Sequence, residues 1–262
     1  WSALLRLDQG IVTGSVSWLY YADRLSELPL GAFGTAIGTV ILPSLSRQYA
    51  GEDAKAFSVT LNWALRMVLL VGVPAALALG ILAEPLIASL FFYGAMTEEA
   101  VVQSARAREA YSLGVLACML VKVLAPGFFA RQDLKTPVRV AVICMVANMV
   151  MNLILIWPLE HVGLALATSL SSMLNAVLLF WGLYKIGVFQ IAPGWGVFLL
   201  RLCGGCAAMV GAVWWLNVPS AEWFAWGWQQ RALQLGLLVA AGLGAFGAGL
   251  LLLGLRPRHL RH

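Results

Sequence analysis

Apolar and polar positions along the chain separate into long uncharged stretches joined by short charged ones. Residues 140–159, 162–184 and 232–255 contain no Asp, Glu, Lys or Arg apart from the flanking turns. Residues 67–83 are likewise uncharged and extend back to Trp63. Residues 110–130 are apolar except for Lys122, and residues 186–221 carry only Arg201. Residues 28–46 are apolar and continue backwards through the aromatic run 17–22. A bilayer core takes about 20 apolar residues per helix. The pattern therefore predicts an all-α polytopic integral membrane protein with seven transmembrane helices, and residues 1–14 read as a partial eighth. Pro29, Pro43 and Pro74 fall in helical stretches and are expected to kink or end them.

Composition narrows the function classes. The chain of 262 residues is 61% hydrophobic and 11% charged, whereas a soluble domain is nearer half apolar and about a quarter charged. A soluble enzyme, a nucleic-acid-binding protein and a disordered tail all fit poorly. Cys118, Cys144, Cys203 and Cys206 lie in apolar stretches, which argues against a secreted disulfide framework. Cys203 and Cys206 have redox spacing but no second ligand pair, so small-residue packing is the better account. The opening WSALLRLDQG shows neither a basic n-region nor an initiating Met and reads as the interior of a longer chain.

The net charge of +5 matters through its placement. Arg47, Lys55 and Arg66, the turn RQDLKTPVR at 131–139, Lys185 with Arg201, and Arg256, Arg258 and Arg261 in the tail mark one set of linkers. The alternate linkers (84–109, 158–161 and 219–231) are mixed or nearly acid-only. Putting the basic set inside places the C-terminus in the cytoplasm. Trp214, Trp215, Trp223, Trp226 and Trp228 bracket one linker in the manner of an interfacial aromatic belt. Gly34, Gly38 and the run GLGAFGAG at 242–249 would let helices approach closely.

Chemistry concentrates at YYADRLSELP, residues 20–29, where three ionisable groups occur within five residues. On a continuous helix Asp23 and Glu27 share one face, with Arg24 beside them. Charge at membrane depth is costly unless it faces a protein interior or a wet cavity. The cluster is thus either a boundary ion pair or a cavity wall whose Arg24 forks onto a phosphate or carboxylate. Lys122, roughly mid-span, either snorkels or faces a cavity. Arg131, Asp133, Lys135 and Arg139 read as topology determinants. Asn148 and Asn152 share a face and Thr168 lies on the next span; their oxygens could help hold Na⁺, or serve interhelical hydrogen bonds. Asp8 would add a carboxylate to that set. No Ser/His/Asp constellation and no phosphate-cradling glycine motif occurs, so an enzyme is not expected.

Several stretches together carry a family resemblance: TGSVSWLYYADRLSELP (13–29), GTVILPSL (38–45), KVLAPGFFARQDLKTPVR (122–139) and PGWGVFLLR (193–201). In this order they resemble the MurJ (MviN) family of lipid II flippases, within the multidrug/oligosaccharidyl-lipid/polysaccharide exporter superfamily. The resemblance implies the C-terminal half of a fourteen-helix, two-lobe transporter. Residues 1–14 would be a helix stub, 15–185 five further helices of the second lobe, and 186–262 two C-terminal helices forming a lipid-tail groove, then a cytoplasmic tail. It implies a cargo of undecaprenyl-pyrophosphate-linked peptidoglycan precursor, lipid II, moved from inner to outer leaflet for cell-wall synthesis. Arg24, Asp23 and Glu27 fall on the family's charged motif and would bind substrate. Lys122, read from its place in the span, would join them, and the oxygens of Asn148, Asn152 and Thr168 leave Na⁺ as the one cofactor expected. The implied partners are membrane lipids and a first lobe, the place is the bacterial inner membrane, and nucleic acid has no part. Another polyprenyl-linked saccharide, or a non-transporting membrane fragment, is the alternative. A drug exporter fits less well, because its cavity should be acid-dominated without Arg24.

Overall fold

The computed structural model describes residues 15–31, 35–94 and 96–254. Among them every regular element is a helix: α1 Ser15–Arg24, α2 Glu27–Pro29, α3 Thr35–Ala50, α4 Ala54–Ile81, α5 Ala83–Phe91, α6 Glu98–Phe129, α7 Lys135–Lys185, α8 Trp195–Leu216, α9 Ser220–Ala225 and α10 Trp228–Leu252. Five of them (α4, α6, α7, α8 and α10) are long and apolar enough to cross a bilayer. The chain is a multi-span membrane protein.

α7 has 51 residues, about 77 Å of helix at 1.5 Å per residue, against a hydrocarbon core of about 30 Å. It cannot be one span. Glu160 adopts φ 50 and ψ −128, and the chain reverses there. A Cβ built on Gly163 would overlap the carbonyl oxygen of Leu155. Residues eight apart on a straight helix would be about 12 Å distant, so the two arms, 135–159 and 161–185, fold back on each other. Gly163 has room for hydrogen only. The predicted spans 140–159 and 162–184 are therefore present, joined by a tighter connection than a loop.

The starts of α4 and α6 follow from local chemistry. Asp53 caps α4 by accepting the Ala56 amide at 2.9 Å, and Thr97 caps α6 by accepting that of Ala100 at 3.2 Å. Glu98 and Glu99 then sit in the first turn of α6, where the helix dipole favours them. This start corrects the reading of residues 84–109 as a linker: they contain α5 and the first three turns of α6. Helices also run through Pro43, Pro74 and Pro126, and of the prolines flagged from sequence only Pro29 ends an element. The stretch 17–46 is divided among α1, α2 and α3, none of them of spanning length by itself. The stub 1–14, Gly34 and the basic tail residues lie outside the described residues.

α6 is the central post, packing against α1, α3, α4, α5 and α7. The main core joins α3, α4, α6 and α7 through residues such as Ile41, Leu61, Met119, Phe128 and Leu183. α8 and α10 pair closely, with the Gly205 and Gly249 backbones in near contact, and lean on α4 and α5.

Two polar fasteners fix that pair. Buried Asn62 on α4 donates to the Ser58 and Gln190 carbonyls and accepts from Ala192 N and from Trp195 Nε1, the latter at 2.7 Å. Beside it Arg66 donates to the Pro193 carbonyl and lies over the Trp195 ring. At the other end Arg231, also buried, donates to the carbonyls of Trp223, Phe224, Ala88 and Phe92.

The outward faces are apolar. Met145, Met149, Leu153 and Trp157 on the first arm of α7 are exposed, as are Trp214 and Trp215 at the end of α8. Lipid satisfies such a face and water does not. Trp223 departs from the belt: it is 1% exposed and packs with Val213 and Leu238.

Candidate substrate-binding site

α1 stops at Arg24, and Leu25 and Ser26 form a turn in which the Ser26 amide donates to the Asp23 carbonyl at 2.8 Å. The uninterrupted helix expected through Asp23 and Glu27 is thus broken between them. Beyond the break Glu27 opens α2, and its Oε2 accepts from Arg24 Nη1 at 2.8 Å. Both side chains of this pair are 60% exposed. Asp23 is exposed as well and lies near enough to Arg108 and Tyr111 to act on both electrostatically. Asp23, Arg24 and Glu27 therefore form one accessible charged patch, whose guanidinium is held, among the described residues, by a single carboxylate.

Lys122 belongs to the same neighbourhood but does something else. It is half-buried on α6, and its Nζ donates to the Leu30 carbonyl at 3.1 Å, just past the end of α2. A helix end leaves carbonyls without partners, and Lys122 satisfies one of them. It neither snorkels away from the protein nor stands free.

Arg108 is the residue that sequence reasoning missed. It is fully buried on α6, and its Nη1 donates to the Ala22 carbonyl at 3.1 Å and to the Ser26 hydroxyl. Its Nε and Nη2 have no hydrogen-bond partner among the described residues. The signal that could have found it is Thr-Glu-Glu at 97–99, a helix N-terminus signature. Taken seriously, it starts α6 early enough to carry Arg108 inside.

The expected cation ligands are partly assembled. Asn152 Nδ2 donates to Asn148 Oδ1 at 3.1 Å, and Asn152 Oδ1 is buried without a partner among the described residues. Thr168 is exposed and donates to the Leu164 carbonyl of its own helix at 3.0 Å. Among the described residues no hydrogen bond joins Thr168 to the asparagines, and no group of three His, Cys, Asp or Glu could hold a metal. Asp8 lies outside the described residues. On the basic turn 131–139, Asp133 accepts the Thr136 hydroxyl at 2.6 Å and the Thr136 amide at 3.0 Å. These bonds hold its carboxyl below the usual range.

A hydrocarbon-lined cavity of about 360 Å³ opens between α4, α8 and α10, walled by Leu70, Pro74, Met209, Val213, Gly242 and Phe246. It lies against the two helices to which the resemblance gives a lipid tail.

Comparison with known proteins identifies a family. The family described as Lipid II flippase MurJ matches residues 5–228. A protein of Vibrio cholerae serotype O1 described as a probable lipid II flippase MurJ is 48% identical over 249 residues, covering 95% of this chain and 47% of its own. A lipid II flippase MurJ of Burkholderia cenocepacia is 40% identical over 235 residues, covering 90% of this chain and 45% of its own. The solved structure of a lipid II flippase MurJ in an inward closed conformation superposes with a TM-score of 0.71 at 24% identity, over 88% of this chain and 46% of that one. The chain thus spans about half the length of the relatives it matches.

Proposed function

Since the chain belongs to the lipid II flippase MurJ family, we propose that it forms the second lobe of a two-lobe flippase that carries lipid II from the inner to the outer leaflet. The observation that carries this reading is the Arg24 guanidinium, exposed at the turn between α1 and α2 and paired, among the described residues, with one carboxylate. A planar fork of donors suits a pyrophosphate, and an exposed partner such as Glu27 gives way at little cost. Asp23 and Glu27 tune the site, while Lys122 fixes the end of the segment that bears it. The hydrocarbon cavity along α8 and α10 suits the polyprenyl tail.

The lobes rock about a site at membrane depth, and the headgroup crosses in the charged cavity while the tail stays in lipid. This is transport rather than catalysis. The chain lies in the bacterial inner membrane with its last described residues toward the cytoplasm, on the side of the basic turn 131–139. It works with a first lobe and the surrounding lipids. Asn148, Asn152 and Thr168 are the candidate Na⁺ ligands, the unpartnered Asn152 oxygen being the one most available to a cation.

The test uses bacteria whose own lipid II flippase can be shut off, complemented by the gene carrying this chain with its natural flanking sequence. Outer-leaflet lipid II and growth are measured for wild type and Arg24→Ala at matched membrane levels. Restoration by wild type and loss in Arg24→Ala are expected. Failure of well-expressed wild type would move the assignment to another polyprenyl-linked cargo. Full activity of Arg24→Ala would make the charged patch structural.

A further inference from the structure

We infer that Arg108 is the positioning residue for Arg24, through a clamp laid across the helix break that carries it; the inference rests on the binding role assigned to Arg24 above. Its two acceptors are the Ala22 carbonyl and the Ser26 hydroxyl. These residues lie two before and two after Arg24, so one guanidinium on α6 grips the backbone entering the break and the side chain leaving it. Between the two points of grip, Arg24 projects outward and stays 60% exposed.

The cost of this arrangement points to more than packing. A buried charge is tolerated when it is paired and fully hydrogen-bonded. Arg108 is fully buried, and among the described residues it is bonded to no carboxylate and leaves two donor nitrogens without a partner. A neutral donor such as Gln could satisfy a carbonyl and a hydroxyl more cheaply. A guanidinium adds reach and rigid geometry, since its planar fork fixes the spacing of the groups it holds. Asp23, within the clamped segment, is the acid whose field Arg108 feels. The clamp therefore sets both the conformation of residues 22–26 and the side from which the patch is accessible. Arg108 itself is buried and makes no contact with cargo.

The experiment uses the protein carrying this chain, with its natural flanking sequence, in lipid nanodiscs. Its native cysteines, Cys118, Cys144, Cys203 and Cys206 among them, are replaced by alanine, and a single reporter thiol is introduced by Arg24→Cys or Tyr20→Cys. Tyr20 is 63% exposed on the same helix, ahead of the clamp. The rate of modification by a charged thiosulfonate is compared for the parent, Arg108→Met, Arg108→Lys and Ser26→Ala. Loss of a charge-assisted bond should change the rate at position 24 about tenfold in Arg108→Met, leaving the rate at position 20 unchanged. Arg108→Lys and Ser26→Ala, each losing one acceptor contact, should fall between. In a second arm Arg24 is retained and inorganic pyrophosphate is titrated. Arg108→Met should weaken binding about tenfold, and adding Arg24→Ala should weaken it little further, because the two residues act as one unit.

An unchanged rate at position 24 in Arg108→Met overturns the inference, as does simple additivity of the Arg108 and Arg24 losses. Equal changes at positions 20 and 24 also overturn it, because they report general loosening. If Arg108→Met does not fold, Ser26→Ala decides by the same criteria. If the parent binds no pyrophosphate, the transport reading fails, and the rates at the two reporter positions still judge the clamp.

Discussion

Replacing Glu27 by Gln removes the partner of the Arg24 guanidinium while keeping the size of the side chain. An incoming pyrophosphate must displace Glu27, so the strength of that pair is subtracted from the observed affinity. With both side chains 60% exposed, the pair belongs with exposed ion pairs, which contribute about 0.2–1 kcal/mol. At 1.4 kcal/mol per factor of ten, Glu27→Gln should tighten pyrophosphate binding by about 1.4- to fivefold. The assay is calorimetric titration of inorganic pyrophosphate into the nanodisc-embedded protein, at low and high salt. High salt should shrink the gain, because screening acts strongly on exposed charges. In an Arg24→Gln background the gain should disappear, which separates release of Arg24 from a general loss of negative charge. Weaker binding in Glu27→Gln would refute the reasoning and make Glu27 a support for Arg24. A gain well beyond about tenfold would show the pair to be far stronger than its exposure allows.

Further predictions concern the frame around the patch. Asn62→Leu leaves the Trp195 indole and the Ala192 amide without their partner and the Gln190 carbonyl with the Ser58 hydroxyl alone; it should cost about 2–4 kcal/mol, read as an earlier thermal transition when a thiol-reactive dye reaches buried Cys144 and Cys206. Gly163→Ala must push the Leu155 carbonyl away from the new methyl and should cost about 1–3 kcal/mol in the same assay. Glu160→Gly should be neutral or stabilising by up to about 1 kcal/mol, since glycine accepts a positive φ without strain. The Asp133 carboxyl is held below its ordinary value of 3.8 by Thr136. A depressed folded value stabilises above the unfolded pKa and is lost as pH falls through the folded one. The stability gap between wild type and Asp133→Asn should therefore be full near neutrality and close below about pH 4; a gap that widens in acid would show the sign to be wrong.

What the sequence disclosed and what it hid have different physical causes. Uncharged length is a one-dimensional signal, so 232–255 became α10 and the two stretches around Glu160 became the arms of α7. Arg106, Arg108 and Glu109 read as loop signals when charge is equated with solvent. Arg108 escapes that rule by bonding to backbone 86 residues away, a pairing that no local window contains. Lys122 and Arg231 behave alike, each spending its charge on carbonyls at helix ends. Asp23, Arg24 and Glu27 were legible as a group, since proximity in sequence ensured proximity in space. The break between them was not, because Leu-Ser carries neither Gly nor Pro to announce it. Trp223 reads as an interfacial residue by composition, yet tertiary packing draws it inside.

The reversal at Glu160 also bears on how the protein is made and handled. With no loop between them, two membrane-length arms leave the ribosome almost back to back, and the first has no polar segment on which to pause before the second follows. Such arms are expected to enter the bilayer together, as a hairpin. Nor does the bend offer a protease or a modifying enzyme a strand to grip: His161 is buried beside it, against Trp18 and the Gln103 carbonyl. An epitope tag or reporter domain placed at Glu160 would split the hairpin and the membrane insertion that depends on it. Residues 186–194 are no substitute, because Gln190, Ala192 and Pro193 hold Asn62 and Arg66 there, so a reporter is constrained at both ends of the second arm.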